Sequence, residues 1–85
     1  MTASAQQIEE ELLVFLRQEV FAPDVQLTAD TDLILAGFDS MSLVRVMLFL
    51  ETTYGLWVPE GEINAETLRN LRTLAETVAR LLHAR

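Results

Sequence analysis

Apolar residues recur every three or four positions in three separate stretches, and this period constrains the fold of the chain most. Such spacing gives an α-helix one apolar face, which packs against a core. The period predicts a first helix over residues 5–21, a second over 40–54 and a last one that begins at 71. Ser4 and Asn70 suit the N-caps of the first and last helices. Pro23 and Gly55 suit positions just beyond the first and second.

The segment between the first two helices, residues 24–39, has no helical period. A loop of this length is uncommon in a compact domain, and we expect it to pack back across the helices through its apolar residues, Val25, Leu27, Leu33, Ile34 and Leu35. Asn64 is placed to cap a brief helix over residues 65–69. Because 85 residues suffice for one domain and not for two, the sequence predicts a single all-α domain over 1–85. Its architecture is a small four-helix bundle with three main helices, one short helix and one long loop.

Few residues in this chain are suited to catalysis. There is no cysteine, so neither a disulfide nor a thiolate metal site can form, and the single histidine, His83, is expected to be exposed near the end of the chain. The sequence has no glycine-rich phosphate cradle, and the residues around Ser40 do not form a G-x-S-x-G nucleophile elbow. The run Asp30-Thr31-Asp32 lacks the ordered ligands of a calcium loop and is interpreted as local capping of loop amides. We therefore predict a protein that is not an enzyme and that holds no metal.

The formal net charge of −7 restricts the partners of the chain. An acidic surface repels nucleic acid and anionic membranes, and it either keeps the domain soluble or steers it toward basic protein surfaces. No stretch reaches the ~20 apolar residues of a membrane span, and the first residues lack the layout of a signal peptide. We expect a monomer in the cytoplasm with no nucleic-acid or membrane partner.

The second predicted helix carries more apolar surface than one core face requires. A first stripe at helical spacing is expected to face the core and comprises Leu43, Val46, Met47, Leu50 and Tyr54. A second stripe comprises Met41, Val44 and Leu48. Either the helix is wrapped nearly all round by its neighbours, or the second stripe is a docking face. Its position just after Ser40 favours docking.

Ser40 lies at the predicted start of that second helix and has two interpretations. A serine at a helix start is usually an N-cap, and the bare pattern favours that role. If Asp39 is the cap instead, the Ser40 hydroxyl lies exposed on the first turn. The positive end of the helix dipole would then favour an attached phosphodiester.

The order of several short motifs around Ser40 resembles that of the acyl carrier and peptidyl carrier protein superfamily. The matching residues are Asp32-Leu33, Gly37-Phe38-Asp39-Ser40-Met41, Val44, Leu50-Glu51 and Tyr54-Gly55, with Val58-Pro59 and residues 68–74 further on. The likeness extends from residue 8 to residue 82, essentially the whole chain. An Asp-Ser pair alone is a weak signal, whereas the pair together with this spacing is fairly specific.

The resemblance implies that 4'-phosphopantetheine is attached covalently to Ser40 by a phosphopantetheinyl transferase that uses coenzyme A. In that family the preceding aspartate supports the transfer through a magnesium ion in the transferase complex, which gives Asp39 this role. The arm would hold an acyl or aminoacyl group as a thioester. Its enzymes would be an acyltransferase or an adenylating ligase and a downstream synthase. The family's partner-facing helix positions correspond to Met41, Val44, Arg45, Leu48 and Thr52.

Three of these positions depart from the usual pattern of the family. Met41 replaces a leucine of similar volume, while Arg45 and Thr52 stand where fatty-acid carriers commonly have acids. We therefore expect a stand-alone carrier of a polyketide or nonribosomal-peptide pathway, with an acid on the partner opposite Arg45. The alternatives are a fatty-acid-type carrier and an unmodified helical adaptor. Trp57 has two interpretations, a contact for a partner or cargo and a half-buried loop aromatic, and the second is favoured.

Overall fold

The computed structural model describes residues 3–59 and 61–84, and it confirms an all-helical architecture. Within these ranges there is no strand, and no helix combines the length and apolar character needed to cross a membrane. The elements are α1 (Ala5–Phe15), a π-helical turn (Leu16–Val20), α2 (Leu33–Ala36), α3 (Ser40–Tyr54) and α4 (Leu71–Ala84).

The first helix begins and ends where the sequence predicts, but its last turn differs. Ser4 is the N-cap, because its hydroxyl accepts a hydrogen bond from the Gln7 amide at 3.1 Å. The final turn widens into a π-helix, which the Phe21 amide closes by donating to the Leu16 carbonyl at 2.9 Å. Phe21 is extended, and Pro23 follows it.

The long loop contains a short helix, α2, that was not predicted from the sequence. Asp32 caps α2 by accepting from the Leu35 amide at 3.0 Å. Gly37, in the left-handed region at φ +116°, ends it, and the Phe38 amide then bonds back to the Leu33 carbonyl at 2.9 Å. A single turn is too short to show a period, so only its two caps could have indicated it.

The helix predicted over residues 65–69 is wrong: this stretch forms hydrogen-bonded turns. Asn64 does cap the first turn, because its side-chain oxygen accepts from the Glu66 and Thr67 amides at 3.0 and 3.3 Å. The turn does not propagate, because the Leu68 carbonyl accepts from the Leu33 amide at 3.3 Å, across to α2. Asn70 then caps α4 by accepting from the Thr73 amide at 2.8 Å.

The core forms chiefly where α4 packs against α1. Its fully buried members come from every helix and include Ile8, Leu12, Leu16, Leu33, Val46, Leu50, Leu71, Leu74 and Val78. The loop packs back through Leu27 and Leu33 as predicted, and Val25 is half-buried. Ile34 and Leu35 do not pack there. Leu33 occupies the inner side of α2 and leaves Leu35 86% exposed.

Candidate functional site

A tight turn between α2 and α3 presents Ser40. Gly37 reverses the chain in a conformation that side chains rarely adopt, and the buried ring of Phe38 anchors the next residue to the core. Asp39 is extended, and Ser40 is the first residue of α3. The position of Ser40 is thus set by a glycine turn before it, an apolar anchor and a helix that starts at it.

Asp39 is the N-cap of α3. Its Oδ1 atom accepts from the Ser42 amide at 2.9 Å and from the Ser42 hydroxyl at 3.0 Å. These hydrogen bonds hold the pKa of the Asp39 carboxyl below its ordinary value of 3.8, and the bond from the Ser42 amide contributes most. The side chain therefore carries a negative charge at neutral pH, in an exposed position next to Ser40.

The Ser40 side chain is exposed, and within residues 3–59 and 61–84 its hydroxyl makes no hydrogen bond. Of the two interpretations drawn from the sequence, the N-cap is therefore wrong for Ser40, because Asp39 fills that role. The hydroxyl lies on the first turn of a helix of 15 residues, near the positive end of the helix dipole. An exposed oxygen in that setting fits an attached phosphodiester.

The apolar stripe that follows Ser40 is exposed. Met41, Val44 and Leu48 are each at least half exposed, so the interpretation in which α3 is wrapped all round is wrong. The predicted core stripe holds on the other side. Val46 and Leu50 are buried, and its remaining members, Leu43, Met47 and Tyr54, are partly buried.

Arg45 and Thr52 are also exposed, and Arg45 makes a contact that the sequence did not predict. Its Nη1 atom donates to the Glu19 carbonyl at 3.0 Å, in the π-helical turn. The guanidinium thus ties α3 to the end of the first helix. The widened turn was not predictable from an α-helical period, so no sequence signal pointed to this contact.

Trp57 lies beyond α3 and is more exposed than expected. Its side chain is 68% exposed, so the half-buried placement is wrong. It lines a cleft of about 570 Å³ whose other walls are Leu43, Met47, Val58, Pro59, Gly61 and Ile63. No local sequence pattern predicts this cleft, because its two walls come from separate segments, one in α3 and one beyond it.

The aspartates of the loop have structural partners. Asp32 caps α2, and the Asp30 carboxylate pairs with the Arg72 guanidinium of α4, which raises the pKa of Arg72. The predicted capping of amides by aspartates therefore holds for Asp32 and not for Asp30. The Thr28 amide donates to Thr31 Oγ1 at 2.8 Å. In the described ranges no group of three or more acidic, histidine or cysteine side chains could hold a metal ion.

Comparison with known proteins agrees with this geometry. A family model described as "Phosphopantetheine attachment site" matches residues 6–82. The D-alanyl carrier protein of Streptococcus suis (strain 98HAH33) is 33% identical over 75 residues, which cover 87% of this chain and 95% of that protein. The D-alanyl carrier protein of Streptococcus pyogenes serotype M5 (strain Manfredo) is 32% identical over 76 residues, 88% and 96% of the two chains. No solved structure matches significantly.

The match to the family model extends over nearly the whole chain, and the turn that it contains exposes a serine hydroxyl at a helix start. The chain belongs to the family of carrier proteins with a phosphopantetheine attachment site. Members of this family carry 4'-phosphopantetheine covalently on a serine.

Proposed function

We propose that this chain is an acyl or aminoacyl carrier that bears 4'-phosphopantetheine on Ser40. One observation carries the proposal: the Ser40 hydroxyl is exposed at the first turn of α3, while Asp39 performs the capping. The other two serines are engaged, because Ser4 caps α1 and Ser42 bonds to Asp39. Only Ser40 combines an exposed oxygen with a position inside the turn that the family model covers.

In the attachment step the Ser40 oxygen loses its proton and forms a phosphodiester bond with the phosphopantetheinyl group of coenzyme A. The pyrophosphate bond of coenzyme A breaks, adenosine 3',5'-bisphosphate leaves with the bridging oxygen, and a base of the transferase takes the serine proton. Asp39 would support this step by holding a magnesium ion in the transferase complex, where the ion would stabilise negative charge on the phosphate groups. Its carboxylate is charged and exposed, and Ser42 fixes its orientation. When attached, the arm supplies a thiol that holds the cargo as a thioester.

The cargo is aminoacyl in our proposal, loaded by an adenylating ligase and passed to a downstream enzyme. The names of the relatives support this class, since both are D-alanyl carriers. They give no support to a polyketide or nonribosomal-peptide pathway, which stays a prediction, as does the cytoplasmic location. The chain itself supplies no catalytic group to the reaction in this proposal.

Partner enzymes dock on the exposed side of α3, through Met41, Val44, Arg45, Leu48 and Thr52. The three apolar members are at least half exposed and follow Ser40 within two or three turns. An isolated exposed leucine would need no explanation, whereas a stripe beside the attachment point indicates a contact surface.

The arm on Ser40 has an apolar surface along which to lie. Leu43 and Met47 are three and seven positions after Ser40, so they lie below it on the same helix face. Both line the cleft that ends at Trp57. Trp57 is the one tryptophan of the chain, so tryptophan fluorescence reports on this cleft alone. We expect that fluorescence to change when the arm is attached and lies in the cleft.

Intact-protein mass spectrometry tests the proposal. The chain is incubated with coenzyme A, magnesium and a transferase of broad specificity, and we expect the mass to increase by one phosphopantetheinyl group. Ser40→Ala should abolish the increase. Ser4→Ala is the matched control, since it also removes an exposed serine at a helix start and should leave the increase unchanged.

An unmodified adaptor makes the opposite prediction for the same proteins. It would show no mass increase in the wild type, and Ser40→Ala would bind partners normally. That result would overturn the carrier proposal in favour of docking alone.

A further inference from the structure

A groove between α1 and α3 is defined by three contacts that cross it. Arg45 donates to the Glu19 carbonyl at one end, and the Tyr54 hydroxyl donates to Glu11 Oε1 at 2.6 Å at the other. Midway, the rings of Phe15 and Phe49 stack with their centroids 4.4 Å apart. The pairing order shows that α1 and α3 run antiparallel here.

The groove is apolar inside and open to solvent. Its volume is about 750 Å³, and the half-exposed side chains of Val14 and Leu48 line it. From Glu11 to Glu19 it spans eight residues, or about 12 Å at the rise of a helix. That length accommodates two apolar side chains one helical turn apart.

The charges around the groove select its occupant. Glu10, Glu11 and Glu19 line it, against a single cation, Arg45. Such a rim repels phosphate-rich surfaces and attracts lysine and arginine. All three acids lie on the wall formed by the first helix, whereas the α3 wall carries Arg45, Leu48, Thr52 and Thr53. An apolar floor beside one acidic wall fits an amphipathic helix that carries basic residues along the edge that faces that wall.

We infer that this groove docks a basic amphipathic helix of a protein partner, as a second contact surface beside the exposed stripe of α3. Arg45, Leu48 and Thr52 belong both to the groove and to the proposed docking face, so the two surfaces are continuous. The further statement that this helix belongs to an enzyme that loads or unloads the arm rests on the proposed function. The basic and amphipathic character of the helix is inferred from the groove alone.

A designed peptide tests the groove without knowledge of the natural partner. The probe is an alanine-based helix with two leucines four residues apart, flanked by lysines, and its control has glutamates in place of the lysines. Each is titrated into the isotope-labelled full chain and followed by amide chemical shifts. We expect the lysine peptide to shift residues 10–19 and 45–53, and the glutamate peptide to leave them unchanged.

Two matched variants distinguish binding in the groove from non-specific hydrophobic binding. Val14→Gln removes an apolar side chain from the groove and should weaken binding about fivefold, or about 1 kcal/mol. Leu35→Gln removes an exposed apolar side chain elsewhere and should change binding less than about twofold. Glu10→Gln with Glu19→Gln should also weaken binding, and less so as salt is added.

Several results would overturn the inference. They are an absence of shifts, equal binding of the glutamate peptide, equal effects of Val14→Gln and Leu35→Gln, or shifts centred on Met41 or Trp57. Ser40→Ala should bind the peptide as the wild type does. A wild-type chain that fails to gain the arm yet binds the peptide would contradict the proposed function and leave the groove inference standing.

Discussion

The helices α3 and α4 are of nearly equal length, 15 and 14 residues, and they use their apolar residues in opposite ways. In α4 these side chains form one face, and most are buried, with Leu71, Leu74 and Val78 fully so. In α3 they surround the helix, and only Val46 and Leu50 among them are fully buried. The apolar face of an amphipathic helix packs on the core of its own domain, whereas a cluster of apolar residues exposed to solvent indicates a contact surface. We therefore propose that α4 serves mainly stability and that the exposed side of α3 serves recognition.

Replacing one leucine on each helix should break this comparison most strongly. Leu74→Ala removes a fully buried side chain from α4 and should lower the free energy of unfolding by about 2–5 kcal/mol. Leu48→Ala makes the same chemical change at an exposed position of α3 and should cost no more than about 0.5 kcal/mol. Urea denaturation followed by circular dichroism measures both. Equal losses would contradict this proposal.

A charge placed on the exposed stripe should remove recognition and leave the fold intact. Val44→Asp puts a carboxylate in the middle of the proposed docking face, so we expect kcat/KM for loading by a partner ligase to fall at least tenfold, about 1.4 kcal/mol. Val44→Ala, which keeps the position uncharged, should lose less. Urea denaturation should find both variants within about 0.5 kcal/mol of the wild type. Unfolding of Val44→Asp would show instead that the exposed stripe also contributes to the stability of the fold.

Arg45 sharpens the comparison, because it lies on the exposed side of α3 and also bonds to the π-helical turn at the end of the first helix. Arg45→Glu removes the donor to the Glu19 carbonyl and should lower the free energy of unfolding by about 1 kcal/mol. It should also weaken loading by the partner, while phosphopantetheinylation stays largely intact. Arg45→Ala separates the effects, since it loses the contact without adding an acid. If loading and phosphopantetheinylation fall equally, Arg45 acts through the fold or the transferase contact.

The smallest expected effect concerns the cap of α3 and its dependence on pH. The folded pKa of Asp39 is lowered, so its contribution to stability is present above the unfolded value, near 3.8, and is lost as the pH falls through the lower folded value. Asp39→Asn can still cap the helix but cannot titrate. Its stability should therefore depend less on pH in the acidic range than that of the wild type. Thermal unfolding scans from neutral to acidic pH measure this, and identical slopes would contradict it.

Much of the fold could be predicted from the sequence, because long helices repeat their apolar residues many times. Short elements could not: α2 has one turn, and the stretch over 65–69 has a cap but no helix, since the Leu68 carbonyl bonds to Leu33 instead. Motif and spacing singled out Ser40, Asp39 and the stripe of α3, whose functional roles stay predictions. The contact of Arg45, the exposure of Trp57 and the groove beside Val14 depend on how distant segments meet, which no local pattern contains.

The central claim, that Ser40 carries the arm, is tested most directly by locating the added group within the modified chain. After treatment with coenzyme A, magnesium and transferase, the protein is digested and its peptides are sequenced by tandem mass spectrometry. We predict that the phosphopantetheinyl group is found on Ser40 in every modified molecule, with Ser4 and Ser42 unmodified. An added group on either of those serines, or an unmodified chain, would contradict the role of the turn before α3.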